Sequence, residues 1–367
     1  MARKKIIIAG GGTGGHLFPA LAIGEEINYR NQDIDIHYMG SSFGLEAKVF
    51  PIKDVWHTLV PIRGFQRGYS LRSIGLNFLL PFRIIKSILK VKSFFNEFKP
   101  DLIIGTGGYA AAIPLFIASK EKKEIKIILQ EQNSYPGITT RLFAKHSIKI
   151  YTAFQDAEKK LNSNYISVTG NPIRKNIING NYNSGINEFK FVQSKKTIFL
   201  FGGSQGSQYL NKLLNNICNK IENSGLQIIW QTGDFDFQRY QSKSTKNIKV
   251  IPFIDNMANA YAISDLIISR SGALTLSEIT ACGKPAILIP FPNAAGDHQT
   301  KNAESLVKVG AAEIIHEREM NQSKLFHLIM KLIHNKHKLS KMSVASKNLS
   351  RSEATKNIVD YIVKEIN

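Results

Sequence analysis

The sequence predicts an α/β protein made of two Rossmann-like domains. The chain has 367 residues, which is more than a single hydrophobic core usually serves. Short apolar runs that are typical of buried parallel strands alternate with amphipathic helical stretches, and several runs end in glycine-rich loops. This pattern of strand, loop and helix starts at Lys5 and starts afresh at Thr197. We therefore expect one doubly wound domain in each half of the chain.

Composition excludes several classes of protein. Hydrophobic residues make up 43% of the chain and charged residues only 21%, so a disordered protein is excluded. The two cysteines, Cys218 and Cys282, lack the spacing of a zinc site or a disulfide framework and favour a reducing compartment. The basic start, Met1 to Lys5, leads into only four apolar residues before glycine, which indicates a first strand and not a signal peptide. No apolar run approaches the ~20 residues of a membrane span.

The net charge indicates an acidic partner. It is +20, from 48 basic and 28 acidic residues, which fits nucleic acid, anionic lipid or a phosphorylated substrate. The chain is also rich in Lys, Asn and Ile, a bias that can reflect genome composition. A nucleic-acid-binding protein stays open as an alternative, although no basic stripe with interleaved aromatic residues lies on a recognisable motif.

The first glycine loop follows the first strand. Lys5 to Ala9 leads into Gly10 to His16, and Pro19 to Asn28 has the pattern of a helix. The glycines satisfy GxGxxG, so an NAD-binding unit has to be considered. The second strand, Ile34 to Met39, ends in Gly40-Ser41-Ser42 without an acidic residue for an adenosine ribose. The loop is therefore interpreted as a phosphate-binding nest with His16 at its rim.

The stretch from Leu71 to Lys99 is more apolar than one helix face requires. An ordinary crossover helix would bury Ile84, Ile85, Ile88 and Leu89 against the sheet. The excess around Pro81 is instead typical of a patch that docks on a membrane surface without crossing it, with basic groups beside anionic lipid. The residues assigned to this membrane contact are Leu76, Leu79, Phe82, Arg83 and Lys86.

Three further features complete the first half. Pro100 to Tyr109 repeats the strand and glycine design, with a second nest at Gly107, Gly108 and Tyr109. Gln130 to Asn133 follows a strand, where side chains that face a ligand are expected. The polar run Asn176 to Asn187 has the composition of an interdomain linker.

The second half contains the most informative stretch. Leu266 to Ser269 is a predicted strand, Ser271-Gly272 a tight exit, and Leu274 to Ala281 a helix that carries Glu278. The first turn of such a helix offers unpaired N–H groups to a phosphate, and a carboxylate one turn later suits the ribose hydroxyls. The sequence predicts a nucleoside diphosphate site here. The alternative is an ordinary turn with a solvated Glu278.

Six motifs in this order carry a resemblance to a known family. They are Gly-Gly-Thr-Gly-Gly-His at 11–16, Gly-Thr-Gly-Gly-Tyr at 105–109, Gln-Glu-Gln-Asn at 130–133, Gly-Asn-Pro-Ile-Arg at 170–174, Gly-Gly-Ser-Gln-Gly at 202–206 and Arg-Ser-Gly-Ala-Leu-Thr-Leu-Ser-Glu at 270–278. Together they resemble the MurG family, glycosyltransferase family 28, the peripheral membrane N-acetylglucosaminyltransferases of peptidoglycan synthesis. The resemblance covers essentially the whole chain.

The resemblance implies a GT-B fold, with two Rossmann-like domains facing each other across a cleft. Residues 1–174 would face the acceptor and the membrane, with the C-terminal helix 350–367 packing back on them, and residues 175–349 would bind the UDP-sugar. The acceptor is undecaprenyl-pyrophosphoryl-N-acetylmuramyl-pentapeptide, and the enzyme would lie on the cytoplasmic face of the bacterial inner membrane. Gly107, Gly108 and Tyr109 would receive the acceptor's pyrophosphate.

The resemblance also assigns the donor-binding residues. Ser204 would contact a phosphate, Ile254 the uracil, Glu278 the ribose and Gln299 the sugar. The implied donor set as a whole is Thr13, Gly14, Gly15, Asn133, Arg174, Ser204, Ile254, Ala273, Leu274, Thr275, Leu276, Ser277, Glu278 and Gln299. The loop before Gln299, with Pro292 to Ala295 and His298, departs from the family's more polar pattern.

The expected reaction is a displacement with inversion, in which the acceptor's muramyl 4-hydroxyl attacks the anomeric carbon and UDP leaves. His16 is the candidate general base; the alternative for His16 is a structural hydrogen bond within its loop. No cofactor or metal ion is expected, because no paired-aspartate motif accompanies the diphosphate site and helix and loop amides with Arg174 can stabilise its charge. A sugar-nucleotide epimerase and a glycolipid synthase with another acceptor are the alternatives on the same fold.

Overall fold

The chain folds into two compact units. The computed structural model describes residues 3–65, 71–121, 124–203 and 205–366. Unit 1 contains Met1–Ile173 together with Ser352–Asn367, and unit 2 contains Arg174–Arg351. The chain therefore returns to its first unit at the end.

Unit 1 is built on a parallel sheet of seven strands. The strands are β1 (Lys4–Gly10), β2 (Ile34–Ser41), β3 (His57–Val60), β4 (Leu102–Gly107), β5 (Lys126–Glu131), β6 (Lys149–Thr152) and β7 (Ile166–Val168). Their spatial order is β3-β2-β1-β4-β5-β6-β7, and all neighbours run parallel. Ile6 and Ile8 point into one apolar core while Ile7 and Ala9 point into another. Both faces of the sheet are therefore covered, as a parallel sheet requires.

Between β1 and β7, the described residues of unit 1 form six helices. They are α1 (Gly14–Arg30), α2 (Glu46–Ile52), α3 (Leu71–Phe78), α4 (Leu80–Phe98), α5 (Tyr109–Ala118) and α6 (Ile138–Phe143). α4 has Pro81 in its first turn and ends at Lys99 in the left-handed conformation, a common pair of start and stop signals. Its face towards the sheet consists of Ser87, Val91, Phe95 and Phe98.

Unit 2 repeats the architecture with six parallel strands. They are β8 (Thr197–Phe201), β9 (Gln227–Gln231), β10 (Ile248–Ile251), β11 (Leu266–Ser269), β12 (Ala286–Leu288) and β13 (Ala312–Ile314), in the order β10-β9-β8-β11-β12-β13. The helices are α7 (Tyr182–Phe189), α8 (Gln208–Asn223), α9 (Asp234–Tyr240), α10 (Met257–Ile263), α11 (Ala273–Ala281), α12 (His298–Lys308), α13 (Gln322–Ile333) and α14 (Lys336–Asn348). The prediction of two Rossmann-like domains is confirmed.

The last helix, α15 (Ala354–Ile366), belongs to unit 1. Its buried face, Ile358, Val359 and Ile362, joins the core beneath α1. An ion pair between Arg30 and Asp360 and another between Lys126 and Glu365 flank this contact. Short 3₁₀ turns lie at Ala144–His146, Gln155–Lys160, Lys175–Asn179, Gln241–Lys243, Ala295–Asp297 and Glu317–Glu319.

The expected linker from Asn176 to Asn187 is wrong. A 3₁₀ turn (Lys175–Asn179) and α7 occupy it, and Gly185 packs so closely on α10 that a Cβ would lie 2.8 Å from the carbonyl oxygen of Asn259. Asn181 caps α7 by accepting a hydrogen bond from the backbone of Ser184. The asparagines of this stretch therefore serve helix capping, and its glycine serves close packing. The same residue types are typical of a polar linker, which explains the error.

The strand order creates the same feature in each unit. In unit 1 the chain reverses direction across the sheet between β1 and β4, and in unit 2 it reverses between β8 and β11. The loops after such a pair of strands diverge and leave a crevice at the carboxyl edge of the sheet, where α/β proteins bind ligands. The loops that follow lie at residues 10–14 and 107–109 in unit 1, and in unit 2 at residues 269–273 and at the described residues of 201–207.

No helix within the described ranges has both the length and the apolar character needed to cross a bilayer.

Candidate active site

Two glycine loops meet at the crevice of unit 1. Gly108 has φ of 77°, in the left-handed region that favours glycine. A Cβ on Gly108 would lie 2.2 Å from the backbone oxygen of Gly11. Only glycine at this position lets the loop after β4 approach the loop after β1, so the sequence dictates that the loops pack together.

The imidazole of His16 lies between these loops and is held by two oxygen acceptors. Nδ1 is 3.0 Å from the carbonyl oxygen of Thr106 and 2.7 Å from Oε1 of Gln132. A carbonyl oxygen has no proton to donate, so the shared proton belongs to Nδ1. In the neutral ring Nε2 then carries the lone pair, which is the state that a general base requires.

A chain of buried amides supports this arrangement. Gln132 donates from Nε2 to the carbonyl oxygens of Thr106 (2.7 Å) and Gln130 (3.1 Å) and to the side-chain oxygen of Gln130. Gln130 donates in turn to Oδ1 of Asn171 at 3.1 Å, and Nδ2 of Asn171 donates to the backbone oxygen of Gln132 at 3.2 Å. All three side chains are at most 1% exposed.

The expectation that the cluster at 130–133 faces a ligand is wrong for three of its four side chains. Gln130 and Gln132 belong to the amide chain, and the buried Glu131 accepts hydrogen bonds from Asn133, Gly137 and Thr140. Only Asn133 is partly exposed, and its side-chain amide lies 3.3 Å from Glu131. The cluster acts on the crevice indirectly, by holding His16.

A carboxylate that the sequence analysis missed occupies part of the glycine nest. Glu46 is completely buried. Its two oxygens accept from the backbone N–H of Gly12 at 3.0 and 2.8 Å, and Oε1 accepts from Ser41 at 2.7 Å. This acid comes from α2 and binds the protein's own loop, so it is not the ribose-binding acid at the end of β2 that a dinucleotide site would need. One signal was available, because Glu46 is the only acidic residue between Asp35 and Asp54.

The remaining part of the nest stays open. Thr13 and Gly15 are exposed and Gly14 is buried at the start of α1. The N-cap residue Thr13 provides no side-chain hydrogen bond to this helix start, which suits an anion at the positive end of the helix dipole. Tyr109 lies against Gly12 and Gly64 and hydrogen-bonds to Ser41. Burial raises the pKa of the Tyr109 phenol, which keeps it a donor.

In unit 2 the start of α11 lies at the equivalent point of the sheet. Gly272 is the N-cap residue and provides no side-chain hydrogen bond. Ala273 and Leu276 are buried against the core, while Leu274, Thr275 and Ser277 are half-buried. Ser277 donates its hydroxyl proton back to the carbonyl oxygen of Ala273. The structure thus leaves the first amides of α11 without a side-chain cap, as an anion site requires.

Glu278 is held from two sides one turn further along. Its Oε1 pairs with Arg174 at 3.1 Å, and its Oε2 accepts from the hydroxyl of Tyr261 at 3.1 Å. Tyr261 lies edge-on to Phe199 and Phe201 beneath the sheet. The carboxylate therefore has a fixed orientation, and each oxygen retains a lone pair for a further donor such as a hydroxyl group.

Arg174 lies elsewhere than the sequence analysis expected. We expected it in the first domain, complementing the donor phosphate, whereas it begins unit 2 and pairs with Glu278. The motif at 170–174 follows β7 and ends in a cation, but a motif does not reveal which carboxylate its cation contacts.

Arg270 is a second residue that the sequence analysis did not single out. It is 7% exposed, forms an ion pair with Glu317, and donates to the carbonyl oxygens of Ile289 and Pro290 and to Oγ of Ser207. Burial lowers the pKa of the guanidinium, although Glu317 acts in the opposite direction. Arg270 thus ties three loops at the carboxyl edge of the sheet together. Its position directly after β11 was the available signal.

The other predicted donor residues are distributed around the same edge. The side chain of Ile254 is buried, and its N–H donates to Oε1 of Gln231 at 2.9 Å. Gln299 accepts from the backbone of Phe291 and, through its own carbonyl, from Ser271. Ser204 lies outside the described residues. Within the described ranges, no three His, Cys, Asp or Glu side chains come together to hold a metal ion.

The helices α3 and α4 expose an apolar stripe. Its members are Ile74, Phe78, Leu79, Phe82, Ile85 and Leu89, of which Phe78 is 76% and Phe82 67% exposed. The alternative from the sequence is correct for Ile84 and Ile88, which are partly buried against the core of unit 1. It is wrong for Ile85 and Leu89, because α4 turns Val91 and Phe95 inward instead. Leu76 is half-buried. Arg83 stacks on Phe43 at 4.9 Å, while Lys86 is exposed.

The chain is similar to a known family along most of its length. The model of the glycosyltransferase family 28 N-terminal domain matches residues 6–152, and that of the glycosyltransferase family 28 C-terminal domain matches residues 197–358. The two matches fall on unit 1 and largely on unit 2, respectively.

Individual relatives match over their full length. A Flavobacterium psychrophilum protein named UDP-N-acetylglucosamine–N-acetylmuramyl-(pentapeptide) pyrophosphoryl-undecaprenol N-acetylglucosamine transferase is 38% identical, over 99% of this chain and 98% of its own. A Finegoldia magna protein of the same name is 37% identical, over 98% and 97%. The crystal structure of Acinetobacter baumannii MurG superposes with a TM-score of 0.74 at 26% identity, covering 98% of this chain and 99% of that one.

Proposed function

The chain belongs to glycosyltransferase family 28, and on that premise we propose that it is an N-acetylglucosamine transferase. Its donor is UDP-N-acetylglucosamine and its acceptor is N-acetylmuramyl-(pentapeptide) pyrophosphoryl-undecaprenol, the substrates for which its full-length relatives are named. The product is the lipid-linked disaccharide precursor of peptidoglycan. The proposal needs no cofactor.

One observation in the structure carries the chemical part of the proposal. His16 has Nδ1 bonded to two acceptors that cannot donate, so the neutral ring presents a basic Nε2. A transferase that activates a hydroxyl group needs this state. A histidine that only braced its loop through Nδ1 would adopt the same tautomer, so turnover of His16→Ala separates the two roles.

Unit 2 supplies the donor site in this proposal. The diphosphate binds at the uncapped start of α11, which consists of Ala273, Leu274, Thr275, Leu276 and Ser277. Glu278 accepts hydrogen bonds from the ribose hydroxyls. Gln299 and Ser204 contact the sugar and a phosphate, and Ile254 lies beside the uracil. Because Arg174 is paired with Glu278, its part is to orient that carboxylate, and the helix amides stabilise the charge of the leaving group.

Unit 1 supplies the acceptor site and the base. The muramyl 4-hydroxyl gives its proton to Nε2 of His16 while its oxygen forms a bond to the anomeric carbon. The bond from that carbon to the β-phosphate oxygen breaks, and UDP leaves with the bonding electron pair. Attack opposite the leaving group inverts the α-linked donor to a β-linked product. Thr13, Gly14, Gly15 and Asn133 complete the donor contacts, and Gly107, Gly108 and Tyr109 hold the acceptor's pyrophosphate.

The apolar stripe on α3 and α4 supports peripheral binding to a membrane. Exposed apolar side chains beside Lys86 and Lys90 suit an anionic lipid surface. An acceptor with an undecaprenyl chain resides in a bilayer, so docking would bring unit 1 to its substrate. The cytoplasmic face of the inner membrane is the proposed location, since the donor is a cytoplasmic nucleotide sugar.

A product assay tests the function. Purified protein, radiolabelled UDP-N-acetylglucosamine and the lipid-linked muramyl acceptor should yield a labelled lipid disaccharide and UDP in equal amounts. Label that leaves the donor only when acceptor is present supports transfer. Conversion of UDP-N-acetylglucosamine to another UDP-sugar without acceptor would instead favour an epimerase. Label on a different lipid would favour a glycolipid synthase.

A further inference from the structure

Gln132 makes the shorter of the two hydrogen bonds to the imidazole of His16. Its Oε1 lies 2.7 Å from Nδ1, compared with 3.0 Å for the carbonyl oxygen of Thr106. Gln132 is 1% exposed and lies just beyond β5, and no substrate contact is assigned to it. Its burial beside a half-buried histidine calls for an explanation in terms of that histidine.

The amide of Gln132 has only one possible orientation. Its Nε2 lies within 3.1 Å of two backbone carbonyl oxygens, those of Thr106 and Gln130. Exchanging the nitrogen and the oxygen would place three oxygens together and leave buried acceptors without donors, at a high cost. Oε1 must therefore face His16, and it can only accept.

The orientation is propagated through the neighbouring amides. Gln130 receives a hydrogen bond from Gln132 and donates to Asn171, which donates back to the carbonyl oxygen of Gln132. Donors and acceptors alternate around this closed circuit, so no single amide can reverse without breaking two bonds. The circuit is anchored on β5 by Gln130 and on the loop after β7 by Asn171.

The charged groups on the elements around His16 are engaged elsewhere. Glu46 accepts from Gly12 and Ser41, and Glu131 accepts from the backbone at Asn133 and Gly137. The phenol of Tyr109 hydrogen-bonds to Ser41, and the positive charge of Arg63 acts to lower the pKa of that phenol. In the described part of the chain, none of these groups hydrogen-bonds to the imidazole. Both hydrogen-bond partners of Nδ1, the carbonyl oxygen of Thr106 and Oε1 of Gln132, are therefore neutral.

We propose that Gln132 is a positioning residue for the transfer reaction: its fixed acceptor keeps the proton of neutral His16 on Nδ1 and aims a basic Nε2 at the acceptor hydroxyl. This inference rests on the proposed role of His16 as general base. A neutral amide fixes the tautomer without favouring the imidazolium, whereas a carboxylate at the same place would favour the protonated ring and shift the onset of activity to higher pH.

The first test replaces the neutral acceptor with a charged one of the same shape. In Gln132→Glu a carboxylate faces Nδ1, so the imidazolium is favoured and the acid limb of the kcat profile should move up by about one pH unit or more. Activity should fall near pH 7 and recover at higher pH, while KM for UDP-N-acetylglucosamine stays within about twofold. Gln132→Leu removes the acceptor and should lower kcat about tenfold or more at all pH values.

A matched control makes the same chemical change far from His16. Gln227 in unit 2 is also fully buried and hydrogen-bonded to Val192 and Thr197, so Gln227→Glu introduces a buried acid without touching unit 1. Its acid limb should not move. A Gln132→Glu enzyme that loses activity with an unmoved limb would overturn the proposal, since a purely structural role predicts that result.

A measurement on the unaltered protein covers the case in which the variants do not fold. With ¹⁵N-labelled histidine, the signals of the His16 ring, identified by their loss in His16→Asn, should show a protonated Nδ1 and an unprotonated Nε2 in the neutral form. The opposite tautomer would overturn the inference. If His16→Ala instead retains turnover, the base assignment fails by itself. An inactive His16→Ala combined with an unmoved limb in Gln132→Glu overturns only the role of Gln132.

Discussion

Tyr261 donates a hydrogen bond of 3.1 Å to Oε2 of Glu278 from a phenol that is completely buried. Burial, together with the Glu278 carboxylate, raises the pKa of Tyr261 well above its usual value. The phenol therefore keeps its proton and remains a donor at every pH at which the enzyme works. Glu278 depends on this donor and on Arg174 for its orientation.

Removing the phenol hydroxyl tests whether orientation of Glu278 matters for donor binding. Tyr261→Phe should raise KM for UDP-N-acetylglucosamine about tenfold with little change in kcat, because one hydrogen bond to a charged group is lost. Steady-state kinetics with both substrates varied measures this. Glu278→Ala sets the upper limit of the effect.

Tyr240→Phe is the matched control, since Tyr240 is also buried in unit 2 but packs against Trp230. It should leave KM for the donor unchanged. A rise in KM for the acceptor alone, in Tyr261→Phe or in Glu278→Ala, would contradict the ribose role of Glu278.

His16→Ala should lower kcat by about 10²- to 10⁴-fold, the usual contribution of a general base. Binding of UDP to unit 2 should persist, because His16 belongs to the other unit. Calorimetry with UDP and a turnover assay on the same preparation separate the two effects. Near-normal turnover with intact UDP binding would remove His16 from the mechanism and leave it the structural role that the sequence allowed.

The fold was largely predictable from the sequence because parallel strands are apolar on both faces. Runs such as Ile6–Ala9 and Leu266–Ile268 are buried throughout, and each is followed by a glycine loop that marks its carboxyl end. The apolar pattern does not single out the strands β3 and β13, which are short and lie at sheet edges. Edge strands bury less, so their sequences carry a weaker apolar signal.

The contacts of the candidate site were less predictable for a different reason. Sequence motifs place His16, Glu278 and the glycines on the correct loops, but they do not say which side chains partner them. Gln132 is 26 positions away from Thr106, and Glu46 is 34 positions away from Gly12. Tyr261 is 17 positions away from Glu278 and lies on another helix. Such partners follow from sheet order and register, which a single sequence does not reveal.

Replacing two members of the apolar stripe tests membrane docking. Leu79→Ser with Phe82→Ser should weaken binding to anionic vesicles about 100-fold or more, because each side chain contributes roughly 1.5–3 kcal/mol when it leaves water. Sedimentation with vesicles measures binding. Turnover of a short-chain soluble acceptor should be unaffected, since the site residues are untouched.

Ile52→Ser provides the control for loss of an exposed apolar side chain. Ile52 is 83% exposed on α2, outside the stripe, so vesicle binding should not change. Sedimentation of the double variant that equals that of the unaltered protein would exclude the stripe as the docking surface.

His37 should make unit 1 sensitive to acid. It is 1% exposed on β2, stacks on Phe94 with ring centroids 4.1 Å apart, and uses Nε2 to hydrogen-bond to Thr58. Burial, with a smaller effect of His57, lowers the pKa of His37 from 6.5 to about 4. Between pH 6.5 and 4 the unfolded chain therefore binds a proton at His37 and the folded protein does not. The free energy of unfolding falls as the pH drops through this window.

The size of this effect can be isolated by substitution. A shift of this size corresponds to about 3 kcal/mol of unfolding free energy lost between pH 7 and pH 4. His37→Phe keeps an aromatic ring in the stack and cannot titrate, so its unfolding free energy in urea should change less with pH than that of the unaltered protein, by about that amount. Equal pH dependence in the two proteins would mean that His37 takes up a proton as readily in the folded protein as in the unfolded chain, which its apolar surroundings oppose because Nδ1 has no hydrogen-bond partner among the described residues.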